Sequence, residues 1–441
     1  MPSTSDHVPF YQRPAELLQQ LIRFDTTNPP GKEAECISYI HYLLTKAGVQ
    51  TTILARDPMR PNLIARLAGQ GHAPALLLHG HVDVVTTEHQ QWQHPPFAGT
   101  AADGYIWGRG ALDMKGGIAM MLAALLRAKA ESMPVAGDVV LAVVSDEETG
   151  GDYGAKYLIE RHADLFKGIR YALGEFGGYT MYIGGRRFYP IMVAEKQACL
   201  IKATVHGPGG HGSLPLRGGA MAKLGRLLQQ LDQHRLPVHT PTVTRLMIET
   251  IAAHVPDPAG SVLRQLLDPA FTDSVLDTLG PQGAFFDPIL HNTVNPTIVY
   301  GGENPNVIPS KIVVKMDGRM LPGHGSAELT VELHQLLGND VEIDIDAAEP
   351  GPPEPDMGLF DTLSDILREA DPEGIPVPHL LPATTDARFF THIQTYGFLP
   401  MKLPVDFDFL QTIHAADERI PIEAIEFGTN AIYEVLRRFG T

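Results

Sequence analysis

The feature that most restricts this chain is the stretch 76–85, LLLHGHVDVV, where an unbroken apolar run stops abruptly at His79, Gly80, His81, Val82 and Asp83. The run from Ala75 to Leu78 is too short for a buried helix and lacks polar alternation. It reads as a strand covered on both faces, the kind parallel sheets use. Its polar residues then fall at the strand's C-terminal end, the edge where open α/β sheets bind ligands. In extended chain His81 and Asp83 point the same way. An imidazole beside a carboxylate suits a metal ligand whose second ring nitrogen is held by its neighbour. A polar turn after a core strand is the competing reading.

Two further apolar runs end alike: Asp138 to Val144 leads into Ser145, Asp146, Glu147 and Glu148, and Arg170 to Leu173 leads into Gly174 and Glu175. Helical periodicity over Ala15 to Phe24, Glu33 to Ala47 and Ile118 to Ala130 interleaves with these runs, and Val49 to Leu54 and Asn62 to Leu67 read as more strands. Three runs so arranged converge on one edge of a parallel sheet, and hence on one polar site. Clustered carboxylates repel one another unless a cation sits among them. Histidine with Asp or Glu and no thiolate suits Zn²⁺, with Mn²⁺ or Co²⁺ as alternatives. Adjacent Glu147 and Glu148 diverge at a strand end, so one can bind metal while the other faces an attacking water; hydrolysis is the implied reaction. A structural acidic rim is the alternative. Gly108, Gly110, Gly116 and Gly117 surround Asp113 just ahead of the third helix, which implies close backbone packing or an ordinary loop into a helix cap.

Composition excludes several classes. The 441 residues are enough for two or more domains, and 44% hydrophobic content supports substantial cores. Lys and Arg number 34 against 51 Asp and Glu, a net charge of −17 with no basic block, which argues against a nucleic-acid partner. No run approaches the ~18 apolar residues of a membrane span, and the opening MPSTSDHVPFYQRP has no signal-like apolar core. With only Cys36 and Cys199, a disulfide framework is excluded, and a soluble cytoplasmic protein is expected.

The later chain changes pattern. Cys199 to His206 alternates as a strand, GPGGHGS (207–213) is a loop, and Ala220 to Leu231 is an amphipathic helix. A mostly helical, proline-punctuated segment follows over about 240–294. Then Asn295 to Tyr300, Lys311 to Asp317, Ala327 to Leu336 and Val341 to Ile345 form a strand, strand, helix, strand series. This predicts a ferredoxin-like α+β insert. Gly207, Gly209 and Gly212 also match a dinucleotide-binding spacing, but the required βαβ context is wanting. The Pro-rich stretch 347–358 reads as a hinge, and Leu359 to Ala370 as a helix of the returning first domain.

Taken together, GHVDVV (80–85), GRGALDMKGG (108–117), SDEETGG (145–151), GEFGG (174–178), GPGGHGS (207–213), TDARF and HAADERIPI closely resemble the M20 family of co-catalytic metallopeptidases and deacylases. The family includes aminoacylases, carboxypeptidase S-like enzymes and succinyl-diaminopimelate desuccinylases. The resemblance implies an α/β catalytic domain of zinc-exopeptidase type, residues 1–194 and 348–441, with the ferredoxin-like lid and dimerisation domain inserted at 195–347. It implies a pair of Zn²⁺ ions bridged by Asp113, with His81 and Glu175 completing one site and Glu148 and His414 the other. Asp83 would orient His81, Glu147 would be the general acid and base, and the Asp113–Met114 peptide would be cis. His211 would donate to the oxyanion. Arg388, Arg319 and Asn306 are candidates for the substrate, the arginines because a guanidinium fork matches a carboxylate, although each could be a structural ion-pair residue. The implied substrate is a small N-acyl amino acid or short peptide, and the implied assembly a homodimer through the lid. A desuccinylase, or a non-catalytic binding protein on the same fold, is the alternative. Gly174 stands where aminoacylase-like members carry an acid, which loosens the subgroup. The extra helical segment would serve to enclose a larger or more apolar acyl group.

Overall fold

The computed structural model describes residues 9–347 and 354–440; residues 348–353 of the Pro-rich hinge and the first eight residues lie outside them. The chain divides into two compact units, one of residues 1–193, 356–378 and 385–441 and one of residues 194–355 and 379–384. The short piece His379–Thr384 thus belongs with the inserted unit although it lies in the returning chain.

The first unit is organised on a large mixed sheet. In spatial order its strands are Gln50–Ala55, Pro61–Leu67, Val139–Val144, Ala75–His81, Ile169–Gly174, Gln394–Gly397, Arg186–Glu195 and Gly374–Leu381. The centre is parallel: Val139–Val144, Ala75–His81, Ile169–Gly174 and Gln394–Gly397 run together, while Pro61–Leu67 joins antiparallel on one side and Arg186–Glu195 on the other. The three apolar runs are therefore neighbours, and their polar ends share one edge. Leu76, Leu77 and Leu78 are 0% exposed, and each such burial contributes roughly 1.5–3 kcal/mol.

The strand that opens at Ala75 continues through Gly80 to His81. Gly80 is required there: a Cβ at this position would lie 2.2 Å from the Cε of Met114. Met114 precedes the helix Lys115–Ala130, which is buried almost all round because it packs on the sheet on one side and on the helices Pro14–Ile22 and Ile422–Arg438 on the other. The glycines of this stretch answer the same demand. A Cβ on Gly116 would meet the Ala111 carbonyl oxygen at 2.1 Å and one on Gly117 would meet Leu399 at 2.6 Å. Asp113, just ahead of this helix, is fixed by packing on several sides rather than by a simple cap.

The inserted unit carries the expected ferredoxin-like arrangement. Its four-stranded antiparallel sheet has the order Thr293–Tyr300, Lys311–Met320, Gln197–His206, Val341–Ala347, with the helices Ala220–Gln233 and Ser326–Leu337. Strand alternation buries Ile201, Ala203 and Val205 against Ile312, Val314 and Met316, and Leu227, Leu329 and Leu333 close the core from the helices. The segment between helix and second strand is helical, with Thr242–His254, Ala259–Gln265, Thr272–Leu279 and Asp287–Leu290. The glycine loop 207–212 follows a strand whose neighbours are both antiparallel, so no βαβ unit exists there. Among the described residues no helix is long and apolar enough to cross a membrane.

Candidate active site

At the shared edge of the parallel strands, His81 ends its strand, Glu175 directly follows Ile169–Gly174, and Glu147 and Glu148 lie on a one-turn 3₁₀ helix after Val139–Val144. The Asp113–Met114 peptide is cis. The two oxygens of Asp113 face different partners. Oδ1 lies 3.1 Å from Nε2 of His81, and Oδ2 lies 3.2 Å from Nε2 of His414. Glu175 Oε2 is 3.5 Å from the same His81 nitrogen, and Glu148 Oε1 is 3.2 Å from the same His414 nitrogen. Two triads result, His81 with Asp113 and Glu175, and Asp113 with Glu148 and His414, each with its ligand atoms within 4.8 Å of one another. Glu147 belongs to neither triad, which separates it from its neighbour Glu148.

Asp83 is a hub. Its Oδ1 accepts the backbone N–H of Glu147 and its Oδ2 that of Glu148, both at 3.1 Å, and Oδ2 also accepts from Asn28 Nδ2 at 2.8 Å. His81 Nδ1 lies 3.0 Å from the Asp83 backbone oxygen and 3.4 Å from Oδ1. Asp83 therefore fixes His81 and the Glu147–Glu148 turn together. Asp146, at φ 71°, secures the same turn, with its carboxylate on Asn28, Thr149, the Tyr153 N–H and Arg60. Arg60 in turn pairs with buried Glu33 at 2.9 Å.

His414 reaches the site through a second clamp. Glu418 is fully buried; its Oε1 accepts the N–H groups of Leu112 and Asp113 at 2.8 and 3.1 Å, and its Oε2 pairs with Arg109 at 2.6 Å. Arg109 also donates to the carbonyls of His414 and Ala415. One ion pair thus holds the Asp113 loop and the His414 loop in register.

The electrostatics are those of a cluster arranged around positive charge. Burial pushes the Glu147 carboxyl well above its ordinary range, reinforced by Glu175, and burial lifts Glu175 to about 6. Burial likewise raises Glu148, against the pull of His414. Burial alone would lower His81, but its hydrogen bonds to Asp113, Asp83 and Glu175 outweigh it and hold the ring protonated. His414 is pushed up to about 10 by Asp113 and Glu148. Asp113, despite its burial, is held well below the usual carboxylate range by the two imidazoles. Protons on His81 and His414 occupy the places where divalent cations would neutralise the carboxylates. Each triad offers one imidazole nitrogen and two carboxylate oxygens, a borderline donor set that fits Zn²⁺, Mn²⁺ or Co²⁺ and leaves positions open.

The chain matches the model of peptidase family M20/M25/M40 over residues 77–438. It belongs to that family. It is 27% identical to the succinyl-diaminopimelate desuccinylase of Paracoccus denitrificans, with 97% of this chain and 98% of that protein covered. It is 28% identical to the human N-fatty-acyl-amino acid synthase/hydrolase PM20D1, covering 84% of this chain and 76% of that protein. Its fold is similar to the M20 family metallo-carboxypeptidase Sso-CP2 from Sulfolobus solfataricus, with a TM-score of 0.70, 16% identity, and 97% and 99% of the two chains covered.

Not every candidate joins the cluster. His211, Asn306 and Arg319 belong to the inserted unit. There His211 pairs with Val307 across a short antiparallel bridge, and the Asn306 carbonyl accepts the Gly212 N–H at 2.7 Å, so these two share one exposed loop pair. Nδ1 of His211 lies 2.7 Å from the Ser213 hydroxyl. Arg319 has partners within the inserted unit: its Nε and Nη2 donate to Asp317 at 2.7 and 3.0 Å, and its Nη1 donates to Thr384 at 2.9 Å. Arg388 lies in the first unit, over the Phe389 ring and 3.9 Å from Asp386. Gly174 has its own explanation, since a Cβ there would sit 2.7 Å from Nε2 of buried His79.

Sequence reasoning missed Asn28, Asp146, Arg109 and Glu418 as parts of the site. Arg109 and Glu418 lie inside the quoted motifs GRGALDMKGG and HAADERIPI, and a buried Arg needs a buried acid, so that pair was discoverable. Asn28 had no comparable signal. Asp386, buried with its carboxyl raised to about 7 by burial, is another silent acid beside the cluster.

Proposed function

We propose that the protein is a zinc-dependent hydrolase of an amide bond beside a free carboxylate, acting on N-acyl amino acids or short peptides. The observation that supports this most directly is Asp113 presenting one oxygen to His81 and the other to His414. When bound, a pair of divalent cations would polarise the scissile carbonyl and ease deprotonation of water. The chain's own residues do the rest. His81 and Glu175 on one side and Glu148 and His414 on the other would hold the ions, with Asp113 between. Glu147, outside both triads and tied through its backbone to Asp83, takes the proton from the attacking water and returns it to the leaving amine. Its raised affinity for protons, caused by burial and Glu175, suits a group that must carry one between two steps. Arg388 pairs with the substrate carboxylate, and His211 donates to the developing oxyanion. Beside Asp113 and Glu175, Leu112, Phe176, Leu399, Met401 and Phe409 form a closely packed apolar surround that backs the two carboxylates.

Hydrolysis of N-acetyl, long N-acyl and N-succinyl amino acids and of dipeptides by zinc-reconstituted protein tests the reading. Turnover is expected to fall by about 10²–10⁴ in Glu147→Gln with zinc content unchanged. Equal turnover in that variant would remove Glu147 from its role, and a chain that takes up no metal would sink the mechanism and favour a binding protein. Strong preference for N-succinyl substrates would select the desuccinylase reading, which is favoured by the end-to-end match to the Paracoccus denitrificans enzyme.

Homodimerisation through the inserted unit belongs to the same proposal. The edge strand Thr293–Tyr300 exposes Ile298, Val299 and Tyr300, a surface able to pair with another strand; light scattering reads the mass directly. A reducing, cytoplasmic setting suits the free, buried Cys36 and Cys199.

A further inference from the structure

The inserted unit holds a second group of metal-ligating side chains, remote in sequence from every motif discussed so far. His239 stands three residues ahead of the helix Thr242–His254, and the chain around it is pinned by its N–H to the Leu290 carbonyl at 2.8 Å and by the bridge of Val238 to His291. Facing it, His324, Glu328 and Glu332 recur at intervals of four, His324 just before and the two acids on one face of the helix Ser326–Leu337.

Each histidine has a carboxylate. Nε2 of His239 lies 2.6 Å from Glu332 Oε1, and Nδ1 of His324 lies 2.8 Å from Glu328 Oε2. Glu332 is almost fully buried, and its other oxygen accepts from Asn292 Nδ2 at 2.9 Å. Two independent ion pairs would account for these contacts taken singly. They leave unexplained why the two rings also converge, with centroids 4.2 Å apart at 48°. A divalent cation between them accounts for the convergence, because it takes one ring nitrogen from each. One ligand atom each from His239, His324 and Glu328 already lies within 4.8 Å of the others. Small side-chain rotations bring such atoms to the roughly 2.0–2.2 Å that zinc requires from nitrogen and oxygen. Glu332 completes or orients the His239 ligand, as carboxylates beside metal-bound histidines do.

We infer that His239, His324 and Glu328, backed by Glu332, form a separate binding site for a divalent transition metal such as Zn²⁺. The ion staples the root of the helical excursion 240–290 to the helix Ser326–Leu337. Its role is structural: Glu328 is exposed, so the ion reaches solvent on that side, and it joins two pieces of chain that are otherwise linked by hydrogen bonds and packing. The site shares no residue with the Asp113 cluster.

The test uses the full chain, stripped of metal and then equilibrated with Zn²⁺ alone. His324→Ala and Glu328→Gln are each expected to hold about one zinc per chain fewer than the unaltered protein, with hydrolytic turnover unchanged. Glu328→Gln keeps the helix and a hydrogen-bonding group, so it guards against loss of zinc through misfolding, and circular dichroism checks both variants. As a second readout, amide exchange in 236–245 and 322–334 should slow on adding Zn²⁺ to an Asp113→Ala protein and should not slow when Glu328→Gln is added to it. Equal zinc content in the unaltered chain and both variants, or exchange indifferent to Zn²⁺ in the Asp113→Ala protein, would overturn the proposal.

Discussion

The two histidine and carboxylate clusters differ in how they are built. The Asp113 cluster draws its side chains from strand ends and loops of the first unit, is buried apart from exposed His414 and half-buried Glu148, and depends on one carboxylate facing two ways. The His239 cluster sets a residue ahead of the helix Thr242–His254 against one face and the N-terminal approach of the helix Ser326–Leu337, opens to solvent at Glu328, and shares nothing. Burial and sharing make the first cluster electrostatically tense: burial raises Glu148 and Glu175, the imidazoles hold Asp113 low, and the carboxylates raise His414. The same residue types thus suit a reactive centre in one setting and a staple in the other.

The sharpest way to break this comparison is Asp113→Ala. Because both triads use that residue, the single change should remove both ions of the first cluster and abolish turnover, whereas His324→Ala should cost one ion and no activity. Retention of one zinc at the first cluster in Asp113→Ala, located by crystallography, would show that the triads are independent. Next in size is Glu418→Gln. It leaves the Arg109 charge buried without its partner, so the chain should lose about 3–5 kcal/mol of stability in urea unfolding, with zinc affinity falling alongside. A stable variant with unchanged affinity would mean that the Asp113 and His414 loops hold their register without the clamp.

A smaller effect should appear in pH scans of the metal-free protein. His414 is raised from its ordinary 6.5 to about 10, so its contribution to stability is complete below about 6.5 and is lost as pH rises through about 10. His81 is shifted in the same direction. Melting temperature in chelator should therefore decline over that window, and zinc, which takes the place of the protons, should abolish the decline. Persistence of the full decline in His414→Gln would assign it elsewhere. The smallest effect is expected for Asn28→Ala, which deprives Asp83, Asp146 and Thr149 of a donor and should cost about 1–3 kcal/mol while leaving zinc bound.

The parts of this molecule that were readable in the sequence are those where local pattern and burial agree. Leu76 to Leu78 is apolar because both faces of its strand are covered, and Ile118 to Ala130 is apolar all round because the helix is enclosed. Strands Arg186–Glu195 and Gly374–Leu381 carry no such signal. Pro190 interrupts the first, and Pro376 and Pro378 the second, where a strand pattern argues against proline; four-residue Gln394–Gly397 is too short to show a period. At the site, His81, Glu148 and Glu175 were placed by the apolar runs that end at them. His414 follows no such run and was reachable only through resemblance, since what carries it to Asp113 is a pairing of Arg109 with Glu418 across some three hundred residues.

That pairing also fixes a timetable. A ribosome that has passed residue 175 has already made His81, Asp113, Glu147, Glu148 and Glu175, yet the Arg109 side chain and the Leu112 and Asp113 amides still await Glu418. The entire inserted unit is synthesised in the interval. The nascent chain can by then pair the strands made before residue 196, but Gly374–Leu381 and Gln394–Gly397 are still to come, and the centre stays half-made until Glu418 has emerged.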